Sequence, residues 1–189
     1  MLKITMSSVL AIAASSAFAE DTVMWNDDIR GWSVAIDRTI EDSCFIISGF
    51  EDQLFLRFQF NAQQQNVQFI VANIAWESLV TGQDYGLEVV FGEDNPWSGT
   101  AKGHVWNGIL PSLVLSVPFE DQQASKFIEE FSDRGSVRVN YEGTEIANLA
   151  LSGTGEAIEA MMACQQAMSE AGAFKESNAD PFAPKPDPI

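Results

Sequence analysis

Apolar and polar residues alternate with a period of two over much of the span from residue 32 to residue 151, the mark of strands with one face in a core. Trp32, Val34 and Ile36 alternate with Ser33, Ala35 and Asp37. Cys44 to Ser48 is a short apolar run ended by Gly49, and Leu54, Leu56, Phe58 and Phe60 alternate with Phe55, Arg57 and Gln59. Val67 to Ile74 is apolar on both faces, which predicts a central strand covered on each side. Tyr85, Leu87, Val89 and Phe91 line one face of a further strand, after the turn Thr81-Gly82-Gln83-Asp84. More strands are predicted near 100–106, 113–117, 136–141 and 145–151, the last two joined by a turn at Glu142-Gly143.

Two segments change to the helical period. In 120–134, Ala124, Phe127, Ile128 and Phe131 fall at i, i+3, i+4 and i+7 and make one apolar stripe. Glu120 and Asp121 stand at its start, where the helix dipole favours negative charge, and Gly135 follows its end. In 154–171, Ala157, Met161, Cys164 and Met168 share a face, with Ile158 and Met162 beside them. Short connections between successive strands argue against a parallel, doubly wound sheet. The pattern therefore predicts an α+β, mainly β fold: an antiparallel sheet or sandwich of about eight strands, covered by two helices, in a single domain over 20–172.

The two ends follow other rules. MLKITMSSVLAIAASSAFA, residues 1–19, has Lys3 as a positive start, an apolar run from about Val9, and Ala17-Phe18-Ala19 as an A-x-A cleavage site. This predicts a signal peptide and a periplasmic or secreted protein without a membrane span, since the run is shorter than the about 20 residues a bilayer needs. Residues 173–189 carry Pro181, Pro184, Pro186 and Pro188, four of the seven prolines, with no apolar period. They are read as a disordered, extended tail.

Composition sharpens this picture. A hydrophobic content of 46% with 13 Phe supports a folded core rather than a disordered chain. The net charge of −17 repels nucleic-acid phosphates and anionic headgroups, so nucleic acid is excluded as a partner and an electrostatically steered partner should be cationic. The two cysteines, Cys44 and Cys164, permit one intramolecular pairing in an oxidising compartment, and no neighbouring Cys or His completes a metal set. A Cys44–Cys164 disulfide is expected.

Candidate chemistry is sparse. LALSGTGEAIEAMMAC runs from a strand through Gly153-Thr154-Gly155 into a helix, the layout of a phosphate-binding loop. Ile158 stands where a dinucleotide loop needs its third glycine, no lysine is near, and Glu156 would oppose a phosphate. Thr154 as N-cap accounts for the turn, and no cofactor is expected. His104, the lone histidine, lacks a G-x-S-x-G partner motif, and the acid doublets are too many to single out a glycosidase pair. The run from Asn26 to Asp37 faintly follows a calcium loop, but Arg30 occupies a ligand position. Trp97 and Trp106, in the Gly-rich WSGTAKGHVWNG, form the candidate ligand surface, because exposed aromatic faces suit sugar rings.

The segment FIEEFSDRGSVRVNYEGTEIANLALSGTGEAIEAMMAC resembles the C-terminal part of small secreted alphaproteobacterial proteins of the invasion-associated locus B type. The resemblance lies in a helix, a strand on each side of a turn, an LxLxG-type turn and a final Ala-rich helix. It implies a β-rich, envelope-associated protein without catalytic chemistry. The expected function is a periplasmic binding or accessory protein for a cationic protein or a polysaccharide. An acidic inhibitor of a cationic, lysozyme-like hydrolase is the alternative, and a hydrolase using carboxylates alone is the third reading.

Overall fold

The computed structural model describes residues 22–40, 42–106 and 108–177; the expected signal segment 1–19 and the proline-rich end from 178 onward lie outside them. In chain order the strands are β1 (Thr22–Ile29), β2 (Trp32–Asp37), β3 (Ser43–Gly49), β4 (Leu54–Asn61), β5 (Asn66–Asn73), β6 (Asp84–Phe91), β7 (Trp97–Trp106) and β8 (Leu110–Pro118). Helix α1 (Gln123–Asp133), the pair β9 (Ser136–Tyr141) and β10 (Thr144–Ala150), and helix α2 (Thr154–Ser177) complete the fold.

All ten strands join one hydrogen-bonded sheet in the order β1-β2-β3-β4-β5-β8-β7-β6-β9-β10, and every pair is antiparallel. The count exceeds the about eight expected, and the apolar pattern locates nine of the ten. The strand missing from the sequence pattern is β1, whose alternation is broken by register shifts between Met24 and Asn26 and between Asn26 and Ile29. An edge strand with one face in water needs no clean apolar period. Val67 to Asn73 occupies the centre of the sheet, with Val67, Phe69 and Val71 on one face and Ile70 and Ala72 buried on the other.

The sheet is strongly curled around α1. Phe131 of α1 lies 5.9 Å from the ring of Trp32 on β2 and 6.1 Å from that of Phe91 on β6. Those two rings are therefore at most about 12 Å apart. Six strand spacings separate β2 from β6, which would be roughly 29 Å in a flat sheet. Phe58, Phe69 and Trp97 close in on the same helix: Phe58 stacks on Phe131 at 4.8 Å, Phe69 meets Phe127 at 5.7 Å and Trp97 meets Phe127 at 5.2 Å. The stripe Ala124, Phe127, Phe131 is thus the plug of an aromatic core.

The curl brings the two ends of the sheet together. Trp32 Nε1 donates to Ser152 O at 3.1 Å, and Arg30 in the β1–β2 turn pairs with Glu156 at 3.1 Å. Gly153 has φ +82°, and a Cβ there would sit 2.7 Å from Arg30 Cβ, so glycine is required by both backbone and neighbour.

Helix α2 lies across β2 and β3 and touches β1 and α1. Cys164 bonds to Cys44 with a Cα–Cα distance of 6.1 Å, and both residues are fully buried. The expected disulfide is present.

Three local expectations need correction. Residues 120–122 form a separate 3-10 turn, cut from α1 by the left-handed backbone of Gln122 at φ 60°. Thr154 does not cap α2 through an accepting hydroxyl. Its Oγ1 donates to Leu151 O at 2.8 Å, with Ser132 O an alternative acceptor at 3.3 Å, while Gly153 O receives the Ala157 N–H at 3.0 Å. Finally, α2 continues to Ser177, past residue 172, because no proline breaks the chain before Pro181. By contrast, Glu142 (φ 49°) and Gly143 (φ 76°) form the two-residue turn of the β9–β10 hairpin, with the primed geometry that suits strand twist.

Candidate functional site

Strand parity separates the tryptophans first. Trp97 and Trp106 stand at opposite ends of β7. Residues an odd number of places apart on a regular strand face opposite sides, so the two do not share a surface. Trp97 belongs to the core: its Nε1 donates to Glu130 of α1, and Lys126 Nζ sits 5.5 Å over its ring. Trp106 is on the outer, convex face. His104 lies there too, its ring edge-on to Trp106 at 4.7 Å, and burial lowers its pKa, so the imidazole is neutral at pH 7.

Trp106 packs into a buried polar cluster. The Arg57 guanidinium carbon is 3.7 Å from the Phe45 ring centroid and 4.9 Å from that of Trp106, so the cation is held between two aromatic faces. Arg57 pairs with Asp37 and donates to Gln59, which donates on to Gln68. Burial alone would raise the Asp37 pKa, but hydrogen bonds from Thr39 and Arg57 and the Arg57 charge outweigh it and hold the carboxyl below its usual value. Burial lowers the Arg57 pKa, against the bond and charge of Asp37. Every polar group in this cluster is engaged with another, which makes it a brace between β2, β4 and β5.

An open groove of about 540 Å³ lies elsewhere, where β6 runs between β7 and β9. Its lining includes Asp84, Gly86, Glu88, Ser98, Asn140 and Glu142. Register builds it: Glu88 is opposite Ser98 on β7 and opposite Asn140 on β9, so the three polar side chains form one row across three strands. Gly86 shares the face of Glu88, and nothing stands within 4 Å of where its Cβ would be, so the floor is bare backbone. Asp84 pairs with Lys102, leaving Glu88 and Glu142 as the exposed anions of the groove. Local desolvation, then the hydrogen bond to and charge of Glu142, raise the pKa of Tyr141 beside it, so the phenol stays protonated at neutral pH.

Chemically, carboxylates, an amide and a hydroxyl around a bare strand can accept hydrogen bonds from an ammonium or guanidinium group. The sequence pattern did not single out these residues. Gly86 inside an otherwise apolar strand was the available signal, whereas the cross-strand row needs the register. The run with a faint calcium-loop pattern is an ordinary hairpin: Asp28 accepts from the Gly31 N–H at 3.3 Å and Asp27 from Ser33 Oγ at 2.9 Å. Among the described residues, no three His, Cys, Asp or Glu side chains gather as a metal-holding group. No helix of the described residues is long and apolar enough to cross a membrane. Comparison with protein-family models, with curated proteins and with solved structures finds no match to this chain.

Proposed function

We propose that this chain is an exported, non-catalytic binding protein whose acidic groove receives a basic segment of a cationic envelope protein. The observation that carries the reading is the groove itself: a glycine floor on β6, walled by Glu88, Ser98, Asn140 and Glu142, in a chain of net charge −17. A lysine or arginine side chain lying along Gly86 meets carboxylates on two sides, and the field of the whole molecule brings such a partner in. The buried Cys44–Cys164 bond agrees with an oxidising compartment, where disulfides persist. A cationic hydrolase of the lysozyme kind is a partner of the right charge. Binding there would be inhibitory where the basic segment borders the hydrolase's own cleft.

Calorimetric titration with a cationic lysozyme tests the reading. It is run at about 10 mM and about 150 mM salt, between which the screening length falls from roughly 30 Å to 8 Å. Replacing Glu88→Gln with Glu142→Gln should weaken binding by about tenfold or more. Replacing Glu51→Gln with Asp52→Asn, in the β3–β4 turn, removes the same charge elsewhere and should change little. Equal losses from both pairs would mean diffuse attraction and no groove site.

A further inference from the structure

Helix α2 is fixed to the rest of the molecule at two places. Its first turn is tied down by Thr154, which bonds Leu151 O with Ser132 O as the alternative acceptor, and by Glu156, which pairs with Arg30. Further along, Cys164 is bonded to Cys44, and Gln165 Oε1 accepts the Cys44 backbone N–H at 2.9 Å. Beyond the first turn, among the described residues, these are the covalent and hydrogen-bonded links from α2 to the body.

Among the described residues, α2 makes its apolar contacts without aromatic rings of its own. Ala157, Ile158, Met161 and Cys164 are buried, with Ala160 and Met168 partly so. Helix α1 instead sets Phe127 and Phe131 among five aromatic rings. The clasp between the sheet ends runs through Trp32 and Ser152, upstream of α2. The rings that line the curl and its plug come from the strands and α1, not from α2.

We propose that the Cys44–Cys164 bond is a redox latch, opened by a dithiol reductant, on which α2 swings away about its first turn while the sheet and α1 stay folded. One reductant thiolate attacks a sulfur of the pair and forms a mixed disulfide, and its second thiol displaces the protein cysteine. Two electrons and two protons pass to Cys44 and Cys164, and the reductant leaves as its own disulfide. Both cysteines are buried, so attack follows a transient local opening at the bond that stops short of the swing. The face uncovered is apolar: Ile36 stands opposite Cys44 in the β2–β3 register, and Val34 opposite Ile46, all of them buried beneath the helix side of the sheet. The latch is independent of the acidic groove, which lies on β6, β7 and β9.

Hydrogen exchange read by mass spectrometry on the full chain, oxidised and in dithiothreitol, tests this. Amides of 160–170 should exchange about a hundredfold faster when reduced, while β4, β5 and β8 keep their protection. Binding of an apolar dye should rise and fall again on reoxidation. The Cys44→Ala, Cys164→Ala double variant should reproduce the reduced pattern without reductant. Unchanged protection in α2 would show that packing alone holds the helix. Loss of protection across β4, β5 and β8, in the reduced protein or the variant, would show that the bond secures the whole fold; either result overturns the latch.

Discussion

Replacing Asp37 by asparagine and Arg57 by methionine, singly and together, measures what the buried brace on the outer face contributes. Asp37 is 3% exposed, and the Arg57 cation lies between Phe45 and Trp106. Asp37→Asn leaves a guanidinium out of water with no counter-charge, only the amide oxygens of Gln59 and of the new side chain and two aromatic faces to stabilise it. Arg57→Met leaves a carboxylate with Thr39 alone. Breaking a buried pair from one side costs about 3–5 kcal/mol, because the surviving charge keeps its desolvation penalty. At this chain length that lowers Tm by roughly 6–20 °C. The double variant removes both charges and keeps an apolar stem against Phe45 and Trp106, so it should recover most of the loss. Urea unfolding followed by tryptophan fluorescence gives the four stabilities, with Trp106 as a reporter beside the altered site. Single losses below about 1 kcal/mol would mean that the pair is effectively hydrated. A double variant equal to the sum of its parents would mean that the charges are uncoupled, and either outcome refutes the account.

The same carboxylate sets a pH dependence. The folded pKa of Asp37 is below its ordinary value, so its contribution is complete above the unfolded pKa, about 3.9, and is lost as pH falls through the folded value. The stability gap between wild type and Asp37→Asn should therefore narrow in acid unfolding curves below about pH 4; a gap that stays constant to the acid limit contradicts the assignment. Phe131→Ala removes a fully buried ring that touches Trp32, Phe58, Phe69 and Phe91, and denaturant titration should show a loss of about 3–5 kcal/mol. Two glycine-to-alanine changes should differ in sign. Gly153→Ala meets Arg30 at a positive φ and should cost on the order of 1–3 kcal/mol, whereas Gly86→Ala has open space and should be neutral or gain up to about 1 kcal/mol.

What could be read from residues alone was whatever local geometry fixes. Period-two alternation follows from the pleat, so the core faces of β2, β4 and β6 were visible before any partner was known. The two-sided apolar run from Val67 implied a central strand, and the stripe Ala124, Phe127, Phe131 implied a buried helix face. An isolated cysteine pair left one connectivity. The split between Trp97 and Trp106 was not available, because the pattern began that strand near residue 100 and left Trp97 outside it; parity applies only once β7 is seen to run from Trp97 to Trp106. What only the tertiary structure decided was which strands meet. The pairing of β5 with β8 and of β6 with β9 joins segments distant in sequence, and from it come the curl around Phe131, the clasp of Trp32 on Ser152 and the row Ser98–Glu88–Asn140. Edge strand β1 was hidden for the related reason that its bulges and exposed face remove the periodic signal. Alternation is set by bond geometry at each residue, but the choice of neighbour is set by how aromatic volume packs around α1, and no single strand carries that information.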